Sequence, residues 1–296
     1  MSGSVDFSSE LKKRLIDILS RFLNFCDNKG LNCYGCGGTV LGAVRHKGFI
    51  PWDDDIDLYM KRVEYDRLIL MNSELSEIGL KFICFENDKD YYLPFGKIVD
   101  MGTSLWEIKR FPYMLGVYID IFPLDFFHGT NEEIEIERKK YINAYTSYQL
   151  TLECPDFREL LYRLVHYSPS QIWRVLKYRG RVNKRDELYD NVISYVNKYR
   201  NQHGDKCICV TQWENRVFNA EWFENSVSLP YENLYLRVPG DYDAYLTLLY
   251  GDYMTLPPIE KRLAAHGDIR YYTNLLEHIS ISEARKRIRN NETLVF

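Results

Sequence analysis

The sequence lacks most of the features that commit a chain to a membrane, to secretion or to nucleic acid. Its first residues, Met-Ser-Gly-Ser-Val-Asp, have neither the basic stretch nor the apolar stretch of a secretory signal. No uncharged apolar run reaches the roughly 18 residues that a membrane span needs. No transmembrane segment is therefore expected, and the expected location is cytoplasmic. Cations are not gathered either: 38 Lys and Arg are interspersed with 42 Asp and Glu, for a net charge of −4. A duplex-binding face needs clustered Lys and Arg to neutralise phosphates. Only Lys184-Arg185 and Arg285-Lys286-Arg287 come close, and both read as solvated helix faces, so no nucleic-acid partner is expected.

Seven cysteines are an odd number and too sparse for a disulfide scaffold. Cys33-x-x-Cys36 with Cys207-x-Cys209 suggests a four-thiolate zinc site. Both pairs lie in short apolar runs that read as buried strands, where successive side chains point to opposite faces, so buried thiols are the preferred reading. A Walker A loop, a dinucleotide fingerprint, a Ser-His-Asp constellation, internal repeats and low-complexity linkers are all absent.

What is abundant is aromatic: 24 Tyr, 15 Phe and 5 Trp in 296 residues. Rings serve equally as core, as ligand walls and as faces for cations. Hydrophobic residues at 46% and charged residues at 27% describe a globular chain of one large or two modest domains.

Periodicity predicts a helix over 7–29, a strand over 31–36, the turn Gly37-Gly38 and a short helix over 39–46. A strand over 56–60, a helix over 63–78 and strands over 80–86, 95–99 and 117–122 follow. Beyond Asn131 the pattern becomes mainly helical, over 132–152, 160–178, 186–199, 241–250 and 282–289, with strands at 206–211 and 234–238. The mixed order predicts an α+β fold: a small mixed sheet with flanking helices over 1–130, and a mainly helical region over 131–296 packed against it.

The chemistry concentrates in one arrangement: strand, Gly37-Gly38, short helix, loop, then Asp-x-Asp on the next strand. Glycines let backbone N–H groups approach a phosphate, and the helix from Thr39 turns its positive end to the same spot. Asp55 and Asp57, two apart on a strand, share a face and suit one hard cation. Asp120, flanked by isoleucines in a strand, is costly to bury unless paired or coordinated. Asp55, Asp57 and Asp120 are thus the candidate catalytic residues and metal ligands, for Mg²⁺ or Mn²⁺. Asp53 and Asp54 read as supporting groups or loop caps, and Asp125 as either. Arg45, His46 and Lys47 are candidates for steadying donor phosphates. Lys97, in a strand, wants an anion, with Asp100 as the alternative partner. His266 is a further substrate-binding candidate.

The run Gly37-Gly-Thr-Val-Leu-Gly-Ala-Val-Arg45-His46-Lys47-Gly-Phe-Ile-Pro51-Trp52-Asp53-Asp54-Asp55-Ile-Asp57 resembles the signature of LicD-type phosphocholine transferases. These are relatives of fukutin-related proteins in the nucleotidyltransferase-fold superfamily. Val117-Tyr-Ile-Asp120-Ile-Phe-Pro-Leu-Asp125, Tyr250-Gly-Asp-Tyr-Met254, Pro257-Pro258, Arg262 and His266 extend the resemblance, while Lys61 stands where a proline is expected before Arg62. The resemblance implies a CDP-linked alcohol as donor, phosphocholine as cargo, and a glycan or glycolipid hydroxyl as acceptor, with CMP released. It also implies Asp55, Asp57 and Asp120 as metal ligands, Gly37, Gly38 and Thr39 as the phosphate-facing turn, and Asp120 as the group assisting deprotonation. A quaternary ammonium needs aromatic faces, for which Trp52, Trp106, Trp213, Trp222 and Tyr250 are candidates. An NTP-dependent nucleotidyltransferase and a catalytically silent glycan-binding relative are the competing readings.

Overall fold

The computed structural model describes residues 7–155, 157–200, 202–211, 216–263 and 270–296. Helix α1 (Phe7–Lys29) buries Leu11, Leu15, Ile18, Leu19 and Phe22 along one stripe, the 3.6-residue period expected of it. Strand β1 (Cys33–Gly35) runs directly into α2 (Gly37–His46), so the two glycines form the first turn of the helix rather than a turn before it. A loop leads to β2 (Asp57–Lys61).

The single helix expected over 63–78 is two, α3 (Arg62–Ile69) and α4 (Asn72–Glu77). The break has a cause: the Asn72 side chain accepts from Phe82 N–H at 2.7 Å and donates to Phe82 C=O at 2.9 Å, pinning α4 to the following strand. That strand, β3 (Leu80–Ile83), stops short of its expected end because the Asn87 side chain accepts from Cys84 N–H and closes a turn. Then come β4 (Gly96–Asp100), β5 (Ser104–Trp106) and β6 (Tyr118–Phe127), the last running five residues past its expected end.

Helices α5 (Asn131–Gln149), α6 (Phe157–His166), α7 (Pro169–Tyr178) and α8 (Arg185–Asn197) follow. Thr130 and Glu133 form a capping box at the start of α5, and Ser168 and Gln171 do the same for α7, which separates it from α6. Beyond them lie β7 (Lys206–Ile208), β8 (Val217–Asn219), α9 (Glu221–Glu224), β9 (Val227–Tyr231), β10 (Leu234–Val238), α10 (Tyr242–Tyr250), β11 (Tyr272–Asn274), α11 (Ile281–Arg289) and β12 (Leu294–Val295). Strands β5, β8, β9, β11 and β12 have no counterpart in the sequence reading. All but β9 are two or three residues long, too short for a period of two to register.

The main sheet has the order β1-β2-β6-β4-β3, with β7 paired to the far end of β6 and β8 to β7. Strands β2 and β6 are parallel and the other pairs antiparallel. Alternation divides the chemistry. Leu58, Met60, Ile119 and Ile121 turn to the face covered by α1, where all four are fully buried in one core with Ile18 and Phe22. Asp57, Tyr59, Asp120 and Phe122 turn to the other face. A second core joins α5 and α8 to the sheet through Tyr141, Tyr145, Tyr148 and Val192 against Phe85 and Tyr118. The architecture is α+β. Among the described residues no helix is long and apolar enough to cross a membrane.

Candidate active site

The parallel register sets Asp57 beside Asp120, and the antiparallel register on the other side sets Lys97 beside Asp120. Three adjacent strands thus carry Asp57, Asp120 and Lys97 in one row across the sheet. The row floors a cavity of about 540 Å³ whose lining also includes Gly37, Gly38 and Asp55. Six of the eleven candidate residues therefore share one cavity.

Lys97 is buried and its Nζ donates to Asp120 Oδ1 at 2.6 Å. Asp100, the alternative partner considered for it, instead faces Arg14 and Arg21, each at 3.5 Å. Below the ammonium lies the Tyr118 ring, with the nitrogen 3.3 Å from its centroid. The Tyr118 hydroxyl donates to Glu107 at 2.6 Å, and Tyr92 donates to the other oxygen at 2.6 Å. Glu107 also lines the cavity. A chain of contacts runs Asp120, Lys97, Tyr118, Glu107, placing a second buried carboxylate behind the first.

Carboxylates crowd the other side. The Asp57 carboxyl is pushed well above its ordinary range, first by burial, then by the charges of Asp55 and Asp120. Asp53 is raised to about 7, by burial and then by Asp55. Asp120 is raised to about 6, because burial outweighs the opposing pull of Lys97. Ligand oxygens of Asp53, Asp54 and Asp55 lie within 4.8 Å of one another. Asp54, however, is pinned by Arg270, which donates to its carboxylate at 2.6 Å and to its carbonyl at 3.0 Å. Buried oxygens that repel one another are what a hard divalent ion relieves, and an all-oxygen set suits Mg²⁺ or Mn²⁺. The residues fit such an ion.

The glycines hold the opposite wall. Gly37 has φ +47°, and its N–H donates to the Tyr245 hydroxyl at 2.8 Å. A Cβ on Gly38 would stand 3.0 Å from the Asp53 carboxylate. Bare backbone here lets α2 start against the acidic loop, with no side-chain cap on the helix. Thr39 faces inward: it is buried, and its hydroxyl accepts from Asp57 N–H at 2.9 Å, locking the first turn of α2 to the start of β2.

Arg45, His46 and Lys47 stand at the other end of α2, roughly 12 Å along the helix from Gly37, and do not contribute to the cavity lining. Arg45 donates to Tyr253 C=O at 2.6 Å and to His46 Nε2 at 3.0 Å, and Lys47 adopts the left-handed conformation that ends the helix. His266 and Trp213 lie outside the described residues. Asp125 is a structural partner, gripped by Arg62 at 2.8 and 2.7 Å. The cysteines of both paired motifs are buried thiols outside any disulfide, and among the described residues they form no metal-binding group. Both basic runs carry surface ion pairs, among them Lys184 with Glu187 and Arg287 with Glu277.

Of the aromatic candidates in the described chain, Tyr250 lines the cavity. Trp106 is buried and donates to two backbone carbonyls, Trp52 packs under Arg262 and Trp222 packs on Phe218. The cavity rings are instead Tyr59, Phe95, Phe122, Phe218 and Tyr250. Apart from Tyr250, these rings, with Glu107 and Arg216, are among the lining residues that sequence reasoning missed. Tyr59 and Phe122 were legible in principle, since each lies two residues beyond a candidate aspartate on the same strand face. Arg216 and Phe218 carry no such signal.

Comparison with known proteins agrees with the motif reading. Residues 30–152 match the model for the LicD/FKTN/FKRP nucleotidyltransferase domain. The chain is 27% identical over 267 residues to the lipopolysaccharide cholinephosphotransferase LicD of Haemophilus influenzae, covering 85% of this chain and 92% of that protein. It is also 29% identical over 106 residues to an uncharacterized protein of Rickettsia typhi, covering 36% of this chain and 32% of that one. The matched stretch spans β1 to the end of α5 and so contains Gly37, Gly38, the acidic loop, Lys97, Glu107 and Asp120. The resemblance noted in the sequence holds: residues 30–152 match the LicD/FKTN/FKRP nucleotidyltransferase domain, and the chain is similar to a LicD protein over most of its length.

Proposed function

We propose that this chain transfers a phosphorylated alcohol, phosphocholine foremost, from a CDP-linked donor to a hydroxyl of a glycan or glycolipid, releasing CMP. The observation that carries the reading is the row Asp57, Asp120 and Lys97 beside Asp55, facing the bare first turn of α2 across one cavity. The likeness to a lipopolysaccharide cholinephosphotransferase supports the choice of cargo and of acceptor class.

Asp55, Asp57 and Asp120 would hold the Mg²⁺ or Mn²⁺. Such an ion neutralises phosphate oxygens and eases loss of the leaving group. The first turn of α2 orients the donor phosphates through its backbone dipole. The acceptor hydroxyl oxygen attacks the phosphorus that bears the alcohol. The bond from that phosphorus to the bridging oxygen of CMP breaks in line, and the pair of electrons leaves with CMP. Asp120 takes the hydroxyl proton on the oxygen that Lys97 leaves open, while Lys97 fixes the carboxylate's orientation. Tyr59, Phe95, Phe122 and Phe218 exclude water and offer ring faces to a quaternary ammonium.

A donor screen across CDP-choline, CDP-glycerol, CDP-ribitol, CTP and ATP, read by mass spectrometry of the products, tests the assignment. CMP formation from CDP-choline with a phosphocholine-bearing glycan is expected. Pyrophosphate release from CTP or ATP, with no CMP from any CDP donor, would make the chain a nucleotidyltransferase in the strict sense. Binding without turnover of any donor would make it a silent relative.

A further inference from the structure

Helices α6 and α7 form a hairpin whose apolar side chains face outward. Phe157 is 74% exposed, Val165 78%, Leu176 72% and Trp173 61%, with Leu161, Tyr162 and Leu164 exposed beside them. Between the helices lies a cleft of about 660 Å³, lined by Leu160, Leu164, Ile172, Val175 and Leu176. Soluble surfaces seldom leave so many large apolar groups contiguous unless something covers them.

Charge identifies the cover. Residues 157–184 contain seven Lys and Arg, at 158, 163, 174, 177, 179, 181 and 184, against one acidic residue at 159, a net charge of +6. The whole chain carries −4, so the remainder carries −10. Arg158, Lys177, Arg179 and Arg181 are exposed. Pairing this face with its copy would bring two such cationic segments together, and the cost disfavours a second copy as occupant. Outward Leu, Val, Phe and Trp with Tyr at the margins and Lys and Arg around them match the boundary between headgroups and acyl chains, where such helices lie in the plane of the surface.

The hairpin is fixed to the body. Arg163 donates to both oxygens of Glu153, at 2.7 and 3.0 Å, both residues being buried, and Gly180 N–H donates to Leu150 C=O at 3.2 Å. Arg110 lies 3.3 Å from the same Glu153, and its carbonyl accepts from Cys154 N–H at 2.7 Å. Residues 107 and 108, three and two positions before Arg110, line the candidate active site. One short segment thus joins the base of the hairpin to the reaction cavity.

We infer that the α6–α7 hairpin is a docking surface for an anionic lipid bilayer, inserting at the headgroup boundary and holding the cavity near membrane-borne molecules. The inference goes beyond the transfer reaction and does not require it, because vesicle binding is measured without donor or acceptor.

Flotation of the full chain with vesicles tests it. Phosphatidylcholine vesicles containing phosphatidylglycerol should retain the protein, and vesicles of phosphatidylcholine alone should not. Raising salt to shorten the screening length should release it. Arg179→Glu with Arg181→Glu should weaken retention by roughly 25-fold or more, taking about fivefold for each cation removed. Val165→Glu with Leu176→Glu should weaken it comparably. All four positions are exposed, so thermal unfolding should be unchanged in both variants. Equal retention of the variants, or no retention of the wild type by anionic vesicles at low salt, would overturn the inference. A dimer in ultracentrifugation that both double variants abolish, without vesicle binding, would overturn it too and give the face to a second copy.

Discussion

Strand β6 carries two buried aspartates five residues apart, each facing a cation, and they have opposite characters. Asp125 receives two bonds from Arg62, with Glu86 3.6 Å from the same guanidinium, in a buried cluster outside the lining of the candidate cavity. Asp120 receives one bond from Lys97 and shares its other side with Asp57 at a cavity wall. The first carboxylate is satisfied by a planar fork that matches it at both oxygens. The second is held by a point charge that leaves one oxygen free. A buried charge with complete partners holds a fold together, whereas one with incomplete partners among like charges is prepared for a ligand or a proton. The same strand therefore separates structure from chemistry over five residues.

Substitutions can break this contrast. The largest effect is expected from Asp57→Asn and Asp120→Asn, which should each lower CMP release per folded molecule on the order of 10³-fold. Asp57→Asn should leave the unfolding midpoint near that of the wild type, whereas Asp120→Asn should also cost stability, because Lys97 stays buried without its counter-charge. Asp125→Asn should cost stability alone. It leaves Arg62 buried without its full counter-charge and should cost ~3 kcal/mol or more in urea unfolding, with turnover per folded molecule preserved. Lys97→Met should lower turnover roughly 10- to 100-fold, as loss of an orienting partner does. Combined with Asp120→Asn it should add little, because the lysine acts through that carboxylate. Smallest is Thr39→Val, which removes the acceptor for Asp57 N–H and should cost about 1 kcal/mol of stability. A loss of activity in Asp125→Asn as large as in Asp120→Asn, at full folding, would erase the distinction between the two positions.

The contrast also shows what a sequence can reveal. Asp57 was legible because its spacing of two from Asp55 puts both on one face by period-two alternation, and Asp120 because it stands alone among apolar residues on a strand. Asp125 has the same local look, and only the pairing partner 63 residues away distinguishes it. Gly37 and Gly38 were legible as bare backbone at a helix start, but their reach was overextended to Arg45, His46 and Lys47. Those three sit at the far end of the same helix or just past it, and a helix ten residues long separates its ends. Glu107, Arg216 and Phe218 enter the cavity from loops and short strands whose positions depend on tertiary pairing. No local pattern announces them. The helix break at residues 70–71 was hidden for a related reason: Asn72 bonds a neighbouring strand, and that choice is not written in helical periodicity.

Calorimetric titration of Mn²⁺ into the wild type and into Asp57→Asn, in buffer containing CDP-choline, addresses the central claim most directly. Saturable binding in the wild type that disappears in the variant, with both proteins equally folded, is the predicted result. Indistinguishable heats in the two proteins would contradict the view that the carboxylates of β2 and β6, with Asp55, gather a divalent ion above the first turn of α2.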